Sequence, residues 1–171
     1  VHRVSGVGGL DLADLVGDTR YLVRSGLDHI RSTPRPSIAA MLRAAEIDQD
    51  RFSEEQVSFA IAPRLNAVGR LADANPMVDF LLSENQGLIP IVVSQIEELN
   101  ARRKILCDQV FDGALANLQR DRSLLDQPIL ILDHPEWPAG VVGIVASRLV
   151  EMFHRPVILL VSPPGQPMRG S

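Results

Sequence analysis

The residue types best suited to chemistry lie close together in the run Ala62-Pro63-Arg64-Leu65-Asn66-Ala67-Val68-Gly69-Arg70. A guanidinium group is permanently charged and offers a planar fork of donors that matches phosphate. Arg64 and Arg70 flank Asn66, whose amide both donates and accepts. Two readings stand for this trio: contacts to a phosphate backbone, or ion pairs with nearby acids on a solvated connection. Pro63 and Gly69 punctuate the run, so it is expected to be a loop between helices, the kind of segment that carries function more often than the core does. Other candidates carry less. Cys107 lies on an apolar helical face and is expected to be a buried structural thiol. His134 is expected to be a solvated loop histidine, and Arg102-Arg103-Lys104 a solvated helix face.

Elements must hold these residues in place, and composition limits which. The 171 residues are 46% hydrophobic but only 4% aromatic, so the core must be built from Leu, Ile, Val and Ala. A net charge of −4 argues against a protein that coats nucleic acid through bulk positive charge, while leaving room for a local basic groove. Of the 17 basic residues all but Lys104 are arginine. A single cysteine excludes an internal disulfide and a cysteine-based zinc site, and fits the cytoplasm. No run approaches the roughly 18 apolar residues that span a bilayer. Val1 and Ser171 carry no starting or terminating signal, and the chain reads as a piece of a longer protein.

Periodicity predicts a helix over Arg20–Ile30 with Thr19 as N-cap, ended by Thr33-Pro34-Arg35-Pro36, and a second from Pro36 to about Ala45. Ser53-Glu54-Glu55-Gln56 is a capping-box start for a third helix ending near Ile61. Asn75-Pro76 opens a short helix through Leu82, and Ser83–Gly87 breaks it. A long helix then runs from about Leu88 to Gln119, with an apolar seam narrow enough for a connector between domains. Pro128–Asp133 and Pro156–Val161 read as buried strands on either side of a helix from Pro138 to Phe153. That order is a βαβ unit with parallel strands, whose carboxyl edge, where Ser162–Ser171 leaves the sheet, is the usual place for ligands. Gly140 and Gly143 near the helix start serve either anion binding at its amides or close packing on the sheet.

Three segments resemble one family, the RecJ-like single-strand-specific exonucleases of the DHH phosphoesterase superfamily. The run Ala62–Leu71 looks like that family's signature. Trp137-Pro138-Ala139-Gly140-Val141-Val142-Gly143-Ile144-Val145-Ala146-Ser147-Arg148-Leu149 with Arg155–Leu159 is similar to the first half of its DHH-associated domain. Gly17–Leu27 resembles the helix after its last metal motif.

The resemblance implies an α/β architecture in three parts: a helical C-terminal part of a DHH domain over 1–86, a connector helix over 87–122, and a βαβ portion of the DHH-associated domain over 123–171. It also implies a 5′→3′ single-stranded-DNA exonuclease of repair and recombination that cleaves phosphodiester bonds with Mn2+ or Mg2+, the strand running between its two domains. Arg64, Asn66 and Arg70 would then face the DNA channel. Leu12-Ala13-Asp14-Leu15-Val16 resembles the last metal motif, so Asp14 is its candidate ligand, against the alternative of a surface acid. Arg169-Gly170-Ser171 resembles the start of the Gly-Ser-x-Arg-Ser motif that receives a terminal phosphate; Ser171 could donate one hydrogen bond, yet is expected to fray. Where the family commonly has His-Pro, this chain has Pro138-Ala139, with His134 close by in sequence. One carboxylate cannot hold two metals, so the chain by itself is expected to lack nuclease activity. A DHH-type phosphodiesterase for short oligonucleotides or cyclic dinucleotides, and a non-catalytic interaction module, remain the alternatives.

Overall fold

The computed structural model describes residues Val16–Ser171. The described chain divides into two compact units with the boundary between Arg102 and Arg103, inside one long helix.

The first unit is helical. Its opening helix, α1, spans Gly17–Ser32 and starts three residues earlier than a Thr19 cap would place it, with Val16 at the N-cap position. Thr19 therefore lies inside the first turn, where Asp18 faces the positive end of the helix dipole. Pro36 opens α2, Pro36–Ala44, where its missing N–H costs no hydrogen bond. Arg31 Nε donates to Phe52 O at 2.8 Å and Gln49 Nε2 donates to Arg31 O at 2.8 Å, tying α1 to the turn before the next helix.

That next helix begins with the capping box: the Ser53 N–H donates to Gln56 Oε1 at 3.0 Å. It does not stop at Ile61. Glu54–Gln56 (α3) passes into a π-helical segment, Val57–Ile61, and then directly into α4, Ala62–Leu71. The expected arginine loop is thus a helix. The physical reason lies at Pro63, which cannot donate an N–H and whose ring crowds the carbonyl one turn back. The wider π turn just before it, in which the Ala62 N–H reaches Val57 O, relaxes the ladder where proline would otherwise break it. After α5, Pro76–Leu82, the Asn85 side chain accepts from Gly87 and Leu88 and starts α6, Leu88–Arg120. Leu27, Met41, Leu42, Phe52, Ile61, Val68, Phe80, Ile89, Val93 and Ile96 form the core of this unit. At ~1.5 Å per residue α6 is ~50 Å long, as its seam of apolar residues predicted.

The second unit is the βαβ unit with one addition. β1 (Leu130–Asp133) pairs in parallel with β2 (Val157–Val161), Leu130 opposite Val157, and α7 (Ala139–Phe153) makes the crossover. The strands are not buried on both faces as their continuous apolar runs predicted. Leu130, Leu132, Val157, Leu159 and Val161 are buried, as are Val141, Val142, Val145 and Leu149 of α7, while Ile131 is 52% and Ile158 38% exposed. One crossover helix covers one face, so only alternate residues are sheltered. β3 (Arg169–Gly170) adds an antiparallel strand beside β2, giving the order β1-β2-β3. Cys107, expected to be buried, is half-buried on α6.

Candidate nucleic-acid interface

The helix formed by Ala62–Leu71 decides what the arginine–asparagine trio can do. At about 100° per residue, Asn66 and Arg70 lie ~40° apart around α4, whereas Arg64 lies ~160° from Asn66. Ala67 and Val68 are buried, Asn66 and Gly69 exposed, and Arg64 and Arg70 half-buried. The sequence run is continuous, yet its three polar side chains do not converge.

Arg64 points inward. Its Nε donates to Glu97 Oε1 of α6 at 2.6 Å and its Nη1 donates to Ala60 O at 2.9 Å. The pair is sheltered, with 16% of the Arg64 and 32% of the Glu97 side chain exposed. Two of its donor directions are therefore committed to protein, while Asn66 is exposed and Arg70 half-buried on the same helix. Glu97 is the partner of Arg64 that sequence reasoning missed. It sits 33 residues away from its partner, and no local pattern connects an acid on a long helix to an arginine on another.

In the second unit, the carboxyl edge of the sheet gathers several polar groups. Ser162 Oγ donates to Asp133 Oδ2 at 3.2 Å, and the His134 N–H donates to Leu160 O at 3.2 Å. His134 is not simply solvated: its ring stacks on Trp137, with centroids 5.6 Å apart and planes 23° from parallel. Its Nδ1 accepts the Glu136 N–H at 3.2 Å, which leaves the ring proton of the neutral form on Nε2. Ser171 is also not frayed. Its N–H donates to Leu159 O at 3.1 Å and its carbonyl accepts the Leu159 N–H at 2.9 Å, extending the β2–β3 ladder. The same geometry explains two glycines. A Cβ on Gly143 would stand 3.0 Å from Ser171 Oγ, and one on Gly170 would collide with the Leu159 carbonyl oxygen. Close approach, rather than conformational freedom, demands glycine at Gly170, whereas at Gly143 the Ser171 side chain would have to give by a few tenths of an ångström. The side-chain hydroxyl of Ser171 therefore rests over the first turns of α7.

Asp14 lies outside the described residues. Among the described residues, no group of three or more His, Cys, Asp or Glu side chains is placed to hold a metal ion. The metal pair implied by the resemblance does not fit this set of side chains, and no catalytic step is assigned to them. Among the same residues, no helix is long and apolar enough to cross a membrane.

No protein-family model matches the chain. Individual proteins do. The chain is 38% identical over 165 residues to the single-stranded-DNA-specific exonuclease RecJ of Escherichia coli, covering 94% of this chain and 28% of that protein. It is 36% identical over 150 residues to the enzyme of the same name from Bacillus subtilis, covering 88% of this chain and 19% of the relative. In three dimensions, RecJ of Thermus thermophilus in complex with Mg2+ superposes with a TM-score of 0.72 at 32% identity, covering 87% of this chain and 23% of the solved one. The Mn2+ complex of that protein gives 0.71 over 86% of this chain. The chain spans 19–28% of the length of the curated relatives it matches. Sequence and fold agree: this chain is RecJ-like, similar over most of its length to a segment of the single-stranded-DNA-specific exonucleases RecJ.

Proposed function

We propose that this chain is the strand-holding part of a cytoplasmic single-stranded-DNA-specific exonuclease of DNA repair and recombination, which removes nucleotides in the 5′→3′ direction. In this reading residues 1–86 close a DHH domain, 87–122 connect, and 123–171 open the DHH-associated domain. The observation that carries it is the placement of the polar residues on α4. Exposed Asn66 and half-buried Arg70 stand about one helical turn apart beside buried Ala67 and Val68, and the Arg64–Glu97 pair anchors the helix to α6. A guanidinium and an amide about one helical turn apart can hold neighbouring oxygens of a phosphodiester backbone without reading base identity. Ser171, held against Gly143, offers one hydroxyl donor toward a terminal phosphate. The Mn2+ or Mg2+ that such an enzyme uses, and that the Thermus relatives hold, would supply the hydrolytic chemistry. The described residues bind and orient the strand.

Fluorescence anisotropy of 5′-labelled oligonucleotides tests this reading on the chain itself. Single strands should bind, and the corresponding blunt duplex should bind several-fold more weakly. Equal binding of both forms, or none of either, would remove the support for a strand-holding segment.

A further inference from the structure

Pro63 leaves a rung of the helical ladder empty at the start of α4, because proline has no N–H to donate. On one side of that gap lies the π-helical segment, and on the other the helix that carries Asn66 and Arg70. A side chain spans the gap: Arg64 Nη1 donates to Ala60 O at 2.9 Å. The same guanidinium gives its Nε–H to Glu97 Oε1 of α6 at 2.6 Å. The group is planar and rigid, so holding one nitrogen sets the direction of the other. Only 16% of the Arg64 and 32% of the Glu97 side chain is exposed, and such shelter makes both bonds stronger than they would be in water.

We infer that Glu97 is a positioning residue for strand binding: through Arg64 it locks the junction between the π turn and α4, and so fixes how α4 presents its polar residues. This deepens the strand-holding reading and rests on it. A pair that only joined α4 to α6 would need no bond back to the turn before the proline, yet Arg64 makes one. Charge gives the second argument. A carboxylate beside a helix that binds a polyanion repels the ligand, so two opposed effects meet at Glu97. Its removal would relieve repulsion and leave the Arg64 charge uncompensated, which favours the strand. Its removal would also release the fork that closes the junction, which disfavours the strand. Repulsion is the smaller effect, because the Arg64 charge 2.6 Å away cancels most of the field that Glu97 sends outward. Support of the junction therefore wins, and the sign of the effect on binding separates the two.

The test measures binding of labelled oligo-dT to the full chain, at a temperature where each variant is folded. Glu97→Ala removes one negative charge from a net charge of −4, so electrostatics alone would tighten the complex. Positioning gives the opposite result, about fivefold weaker binding, the worth of roughly one hydrogen bond. Glu97→Gln keeps an oxygen that accepts from Arg64 Nε and should bind within about twofold of wild type. In an Arg64→Ala background, Glu97→Ala should change binding no further, because its effect passes through Arg64. Hydrogen exchange reads the junction itself: the Ala62 N–H, which reaches Val57 O across the π turn, should lose protection in Glu97→Ala. If Glu97→Ala does not fold, Arg64→Lys takes its place. It keeps the charge, loses the fork and should weaken binding by a similar factor. Unchanged or tighter binding by the folded variant, Gln binding as weak as that of Ala, or full protection at Ala62 would overturn the positioning role and leave the strand-holding reading standing. Failure of wild type to bind oligo-dT would overturn both.

Discussion

Arg64 of α4 and Glu97 of α6 meet at 2.6 Å, an ion pair that ties the two helices together. A charge-assisted hydrogen bond in a sheltered setting contributes about 1.5–3 kcal/mol, because removing one partner leaves the other poorly solvated. Arg64→Ala and Glu97→Ala should each lower stability in urea titrations by an amount of that order. The double variant should cost clearly less than their sum. Additive losses would mean that the two side chains do not interact in solution.

Arg148 separates two weaker effects on the second unit. Its Nη1 donates to Asp108 Oδ1 at 3.0 Å, and its guanidinium carbon stands 3.8 Å from the centre of the Phe111 ring. The ion pair is open, with half or more of each side chain exposed, so Asp108→Ala should change stability by less than about 1 kcal/mol. Arg148→Ala should cost more than that, because it also uncovers Phe111 and removes the cation–π contact. Equal losses from thermal unfolding would assign the whole effect to the ion pair.

Gly170 is the tightest position on the β2–β3 ladder, since a Cβ would run into the Leu159 carbonyl. Gly170→Ala should displace β3 and break the paired hydrogen bonds between Leu159 and Ser171. Hydrogen exchange should show loss of protection at the amides of both residues, with the β1–β2 pairing preserved. Retained protection at Ser171 would contradict this packing.

The chain by itself should not degrade DNA. With Mn2+ and a 5′-labelled single strand, product should not rise above the buffer control, because the described side chains bring together no metal-holding cluster. Robust degradation would show that this set of residues is sufficient for cleavage.

Sequence was a good guide where local chemistry is decisive. Prolines 36 and 76, the Ser53–Gln56 capping box and the seam of α6 each encode a helix within a few residues, and those helices appear where expected. It misled at Pro63, Asn66 and Gly69, which read as loop punctuation when taken singly. The π turn that accommodates Pro63 depends on backbone several residues upstream, and buried Ala67 and Val68 favour the helix through packing that no local propensity records. The sheet failed in a different way. Apolar runs in β1 and β2 predicted two covered faces, but alternation becomes visible only once α7 is seen to cover one side. β3 and the ordered Ser171 were illegible because two residues carry no periodicity. Of the candidate interface, Asn66 is exposed and Arg70 half-buried, and the pairing of Arg64 with Glu97 depended on a partner far away in sequence.

The central claim is that the Asn66–Arg70 face of α4 touches the phosphate backbone of a single strand, and the salt dependence of binding tests it most directly. Each phosphate neutralised on a single strand contributes about 0.7 to the slope of log K against log salt. Arg70→Ala should weaken oligo-dT binding and flatten that slope by roughly this amount in a variant that stays folded. An unchanged slope in the folded variant would make Arg70 a structural residue and contradict the account.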